Sequence, residues 1–136
     1  MAKQTKKTAS AEAPRADSVL DRLPPHNLEA ERGVVGAILL DPKLSDDVAV
    51  VVRPDDFYLD AHRRIYRRLL EMSAESSGVD LTLLVERLRG SGELEEVGGE
   101  AYLAELMGSV QVTAHAAHYA EIVQKNAIRR RLLAAG

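Results

Sequence analysis

DAHRRIYRRLLEMS, residues 60 to 73, carries the pattern that decides the fold. At about 100° per residue, His62, Ile65, Tyr66, Leu69, Leu70 and Met72 fall on one half of a helical wheel, and Arg63, Arg64, Arg67 and Arg68 on the other. A strand would scatter both sets over its two faces, so the period predicts an amphipathic helix over about 61–73 behind Asp60. Its apolar face has to be covered by other elements. Its four arginines are a candidate electrostatic contact with phosphate or an acidic partner surface, weighed against an ordinary solvated face.

Working outward from there, the upstream chain reads as two further helices. Pro24-Pro25 disfavours helix before it and Asn27 is a good N-cap, so a helix is expected from about Leu28 to Leu40, stopped by Asp41-Pro42. Leu28, Val34, Val35, Ile38 and Leu39 share one side of this helix, while Gly33, Gly36 and Ala37 gather on another. A glycine inside a helix costs about 1 kcal/mol relative to alanine, so two of them three residues apart predict another backbone packed closely there. Glu31 falls within the apolar half and, once buried, needs a partner: an arginine of the 63–68 helix or backbone amides near Asn27. Ser45-Asp46-Asp47 caps the VAVVV run at 48–52, which reads as a short helix with a strand as its competitor.

Downstream, Ser76-Ser77-Gly78 marks a loop, and Asp80 or Thr82 caps a helix that carries Leu83, Leu84 and Leu88 and ends at Gly90. Glu93 to Val97 adds a turn before Gly98-Gly99, and Tyr102, Leu103, Leu106 and Met107 set the next helix on the core. From about Thr113 the chain runs without Gly or Pro until Gly136 and is expected to form the longest helix. Tyr119, Ile122, Val123 and Leu133 form one apolar stripe on it; Ala117, Ile128 and Leu132 form another. A helix on the surface of a closed domain needs one stripe, so two imply a packing partner on each side, one of them a continuation of the chain or another subunit.

Composition agrees with an all-α fold. In 136 residues, 46% are hydrophobic and only 4% aromatic, so one core is built from Leu, Val, Ile and Ala, the residues of helix packing. Residues 1–23, with Lys3, Lys6 and Lys7, lack an apolar period and are expected to be a flexible tail. The absence of cysteine excludes thiolate catalysis and Cys-based zinc sites, and a net charge of −3 gives no general attraction to nucleic acid. With no apolar run long enough for a membrane span and no secretory signal, a cytoplasmic location without membrane contact is expected.

No chemistry emerges from the motifs. There is no G-x-x-x-x-G-K-[ST] cradle for phosphate, and Gly98-Gly99 sits among Glu95, Glu96 and Glu100, which would repel an anion. His115, His118 and Glu121 are spaced to share a helix face but lack the intervening carboxylate and a fourth ligand, so ordinary packing is the better reading. His26 and His62 stand alone in sequence, and no Ser or Cys has a triad context. The chain reads as an interaction module with no catalytic, cofactor or metal site.

Taken in order, PPHNLEAERGVVGAILLD (24–41), DDFYLDAHRRIYRRLLEM (55–72), VDLTLLVERLRGSGELEEVGGEAYLAEL (79–106) and AHYAEIVQKNAIRRRLLAAG (117–136) resemble the N-terminal domain of the bacterial replicative DNA helicases of the DnaB type. The resemblance covers nearly everything after the tail. It implies a domain over 24–136: a compact helical bundle (24–110), then the first long helix of a C-terminal helical hairpin (113–136). In that family the second hairpin helix, a linker and a P-loop motor domain follow, and ATP and Mg²⁺ belong to the motor. The hairpins pair between subunits, forming a collar of three dimers above a six-membered ring, and the collar receives primase. DNA is met through the full ring. Carried over residue by residue, this places Tyr119, Ile122, Val123 and Leu133 in the hairpin or dimer packing, with Arg129, Arg130 and Arg131 near its solvent-facing end. Two other expectations stand beside this one: a direct DNA-binding module using the Arg63/Arg64/Arg67/Arg68 face, and a free-standing adaptor derived from the domain.

Overall fold

The computed structural model describes residues 23–75 and 78–135; the expected tail, apart from Leu23, lies outside them. The described residues form helices and turns with no strand: α1 (Leu28–Leu40), α2 (Ser45–Val51), α3 (Asp60–Ala74), α4 (Leu81–Gly90), α5 (Gly99–Ser109) and α6 (Ala116–Ala135). Short 3₁₀ turns at Pro42–Leu44, Pro54–Asp56 and Thr113–His115 lead into α2, the Phe57–Leu59 loop and α6. The fold is all-α, as the periodicity predicts.

The centre of the bundle is α1. Asn27 caps it by accepting from the Ala30 N–H at 3.0 Å. Residues from Ala30 to Leu39 are buried all round apart from half-buried Arg32, the signature of a helix enclosed by others. α3, α5 and α6 pack about it. Its two glycines serve different neighbours. A Cβ at Gly36 would run into the Leu106 carbonyl oxygen of α5, the close backbone approach expected from the sequence. At Gly33 the neighbour is a side chain instead: the Tyr119 ring of α6 lies flat enough that a Cβ would meet its Cδ2 at 2.6 Å.

α3 presents His62, Ile65, Tyr66, Leu69 and Met72 to the core, with Phe57 and Tyr66 in contact at 4.9 Å between ring centroids. The Tyr66 hydroxyl donates to the Val52 carbonyl at 2.8 Å, and burial pushes its pKa up. VAVVV is helical as far as Val51, so the strand alternative is excluded; Ser45 starts it by donating to the Pro42 carbonyl and ties α2 to α3 through Ser73 at 2.9 Å.

Asp80 caps α4. This helix buries Leu84, Val85 and Leu88, whereas Leu83 is 42% exposed. The turn at 93–97 buries Leu94 and Val97, and Gly98 and Gly99, at φ 109° and 78°, adopt the left-handed backbone that brings the chain round into α5.

Candidate interaction site

Three layers of contacts fix the surface that α6 offers. The innermost is a polar relay inside the core. Glu31, 1% exposed, accepts from the Tyr58 N–H at 2.6 Å, the Leu59 N–H at 3.3 Å and His62 Nδ1 at 2.8 Å. A carboxylate only accepts, so Nδ1 carries the proton, and Nε2 is hydrogen-bonded to the Tyr102 hydroxyl 2.6 Å away. Burial pushes the Tyr102 pKa up, partly offset by Arg32. One carboxylate thus holds α1, the Phe57–Leu59 loop, α3 and α5 in register. The sequence offered Glu31 an arginine of the 63–68 helix or the amides near Asn27; its partners are instead the Tyr58 and Leu59 amides and His62, which arrive from the loop and helix that pack on it.

The second layer is a clamp between the two ends of the domain. Asp56, buried, accepts from the Arg53 N–H at 2.8 Å and from Arg131. Arg130 donates to the carbonyls of Asp56 at 2.6 Å and Pro25 at 2.8 Å, and its guanidinium lies 5.5 Å from the centre of the Tyr58 ring. On Tyr58 a second ring stacks: His26, at 4.2 Å and 13° between planes. Expected at a solvent-facing end, Arg130 is instead half-buried against its own chain, because carbonyls at the turn and in the lead-in segment need a donor. Burial lowers its pKa. Arg129 is exposed.

The third layer is α6 itself. The residues it buries are Ala116, Ala120, Val123 and Ala127, a small-residue stripe at spacings of four, three and four that lies along α1. Tyr119 and Ile122 are half-buried against the same core. Within one chain, therefore, Tyr119, Ile122 and Val123 are occupied by the bundle, and only Leu133 of the expected stripe is open. Burial stops at Ala127. Ile128, Leu132 and Leu133 are 44%, 68% and 67% exposed.

The arginine face of α3 is not a free cationic patch. Arg64 pairs with Asp60 at 2.7 Å, Glu93 at 3.4 Å and Glu96; Arg68 with Glu93 at 2.8 Å and Glu71 at 3.0 Å; Arg67 with Asp55 at 3.7 Å. Arg63 donates to the Phe57 and Tyr58 carbonyls. Glu93, whose side chain is 13% exposed, would be pushed up by its burial, but the Ser91 hydroxyl, Arg68 and Arg64 outweigh that and hold it below the usual carboxylate range. Among the described residues no three His, Asp or Glu side chains gather as a metal site; His115 and His118 instead flank the Tyr119 ring.

Residues 23–125 match the DnaB-like helicase N terminal domain family. Over 117 residues the chain is 42% identical to the replicative DNA helicase DnaC of Bacillus subtilis (strain 168), covering 86% of this chain and 26% of that protein. To the replicative DNA helicase DnaB of Geobacillus stearothermophilus it is 38% identical over 113 residues, 83% and 25% of the two lengths. It therefore spans about a quarter of these relatives. The crystal structure of the N-terminal domain of DnaB helicase from Mycobacterium tuberculosis superposes with a TM-score of 0.81 at 37% identity, covering 84% of this chain and 83% of that one. An all-helical bundle around α1, a long last helix clamped to it, and sequence identity running through both lead to one assignment: this chain belongs to the DnaB-like helicase N-terminal domain family.

Proposed function

We propose that this domain is a non-catalytic assembly module of a replicative DNA helicase, organising the ring through dimer contacts along α6 and its continuation and receiving primase on the collar so formed. The observation that carries the reading is the change of character along α6. Small residues up to Ala127 fix it on the bundle; beyond them Ile128, Leu132 and Leu133 stand open on a segment that Arg130 and Arg131 hold still. Large apolar side chains grouped on a fixed surface mark a partner contact. The partners would be other helicase subunits and primase, with DNA met through the complete ring. ATP and Mg²⁺ would be used only by the motor domain. No helix among the described residues is long and apolar enough to cross a membrane, and a cytoplasmic setting fits that role.

The magnitudes say what to expect of the chain alone. Fully burying a leucine contributes about 1.5–3 kcal/mol, so covering two leucines that are already one-third buried recovers roughly 1–2 kcal/mol each. Micromolar association needs about 8 kcal/mol. The 136-residue chain should self-associate weakly, and a chain extended by a second hairpin helix should dimerise stably. Light scattering over a concentration series tests this, with Leu132→Glu/Leu133→Glu as the control that should weaken the dimer. Strict monomers in both forms would refute the assembly role.

A further inference from the structure

A second feature of α6, at the opposite end from its exposed leucines, has the makings of a ligand site. A cleft of about 470 Å³ opens between the first half of α1, the Ser109–Val112 connector and the start of α6. Arg32 lines it, half-buried. Arg63, Arg64, Arg67, Arg68, Arg87, Arg89 and Arg131 each have a carboxylate within 4 Å, whereas among the described residues Arg32 has none. Its neighbour is the Tyr102 hydroxyl, a neutral group that supplies no opposite charge. A partly desolvated guanidinium favours an anion beside it.

The longest helix begins beside the cleft, which Val112, His115 and Tyr119 line. Val112 opens the Thr113–His115 turn that runs directly into the 20-residue α6, and no side chain caps that turn. Its leading N–H groups and the helix dipole add positive potential where His115 also lies. The remaining wall is mixed: Ser109 and Gln111 are polar, and Val110, the 48%-exposed Val112 and the Tyr119 ring seated on Gly33 supply an apolar strip. One carboxylate, Glu29, lines the cleft a turn before Arg32 without pairing with it; it disfavours multiply charged anions such as phosphate.

We propose that this cleft binds a single carboxylate carried on a short apolar stem, supplied by an acidic side chain of a peptide segment in a partner protein. The carboxylate takes Arg32 and the uncapped turn, and the stem lies on Val110, Val112 and Tyr119. The site goes beyond the assembly role of the exposed leucines and does not depend on it.

The experiment is a titration of the ¹⁵N-labelled chain with hexanoate, with hexanamide of the same shape without the charge, and with the capped dipeptide Ac-Val-Glu-NH₂. Saturable shifts at Gly33 and at Val110–Val112 are expected with the dipeptide and hexanoate, tighter for the dipeptide, and none with hexanamide. Arg32→Gln should weaken binding about tenfold or more, the worth of a charge-assisted hydrogen bond, and Arg32→Lys less. Unchanged spectral dispersion in both variants shows that the fold is kept. No saturation up to roughly 50 mM, where a millimolar site would be filled, overturns the proposal. So does equal response to hexanamide, or binding that survives Arg32→Gln. Tighter binding of hexanoate than of the dipeptide overturns the peptide source and assigns the cleft to small free acids.

Discussion

Glu31 is where the core is most exposed to a single substitution. Its two oxygens accept from the Tyr58 and Leu59 N–H groups and from His62, and Glu31 and His62 are themselves fully buried. Glu31→Gln keeps the shape but can retain only some of these bonds. With the amide oxygen on the 2.6 Å Tyr58 bond, the NH₂ faces His62, which changes tautomer to accept, and the Leu59 N–H at 3.3 Å is orphaned. One buried unsatisfied donor costs about 1–3 kcal/mol, and the long bond puts this variant at the lower end. Glu31→Ala orphans all three donors and leaves a cavity, so about 3–5 kcal/mol is expected, as for breaking a buried pair. Urea unfolding followed by far-ultraviolet circular dichroism measures both. The discriminating result is the order wild type, Gln, Ala with a gap of about 2 kcal/mol between the two variants. If Glu31→Ala unfolds within about 1 kcal/mol of wild type, the carboxylate does not organise the core and the relay from Glu31 to Tyr102 is incidental.

Gly36→Ala should destabilise by about 1–3 kcal/mol in the same unfolding assay, although alanine is the better helix former by about 1 kcal/mol, because its Cβ meets the Leu106 carbonyl. Arg130→Ala should raise amide exchange at His26 and around Ile128 and leave exchange in α4 unchanged, since its bonds reach only Pro25 and Asp56. Glu93→Gln supplies a pH test. The folded carboxyl titrates below its unfolded value, so its contribution is complete above the ordinary carboxylate pKa and is lost as pH falls through the lower, folded one. The wild type should therefore exceed Glu93→Gln in stability near neutrality and lose that advantage in acid; an advantage that grows on acidification would contradict the depressed pKa. On a short DNA duplex at low salt the chain should show no Arg64- and Arg67-dependent binding, measured by fluorescence anisotropy, because Asp55, Asp60, Glu93 and Glu96 already neutralise that face.

What the sequence made legible was local. Asn27, the Pro24-Pro25 pair and Asp41-Pro42 bound α1 as Leu28–Leu40, and the 3.6 period of residues 60 to 73 names the buried face of α3, because caps and periodicity act within a few residues. The site was harder. The Glu31 carboxylate could be flagged as buried, but its acceptance of Tyr58 and His62 spans about thirty residues, and Arg130 meets Pro25 across 105. Nothing in either neighbourhood encodes the other. The arginines of α3 looked free because the glutamates that pair with Arg64 and Arg68 arrive from 25 to 32 residues later.

The alanines of α6 mark the one signal that was present and unread. Apolar patterning weights side chains by size, so Ala116, Ala120 and Ala127 counted for little beside Ile128 and Leu132, and the helix seemed to have two opposed stripes around its axis. Yet residues four, three and four apart share one face, and small ones allow a helix axis to approach closely. Gly33 supplies the same property on α1, where the Tyr119 ring of α6 takes the space a Cβ would fill, while Gly36 serves α5. Small residues on both helices bring α6 down on α1 with its large residues displaced past the end of the contact. The division of α6 therefore runs along its length: a first part closed by alanine and Val123, and a last part that is apolar, clamped and open. Ala127→Leu tests that order directly, because a large side chain at the boundary should lift α6, cost about 1–3 kcal/mol by overpacking and expose Arg130 together with it. A neutral Ala127→Leu with unchanged exchange at His26 would show that the close approach of α6 to α1 is not what holds its far end.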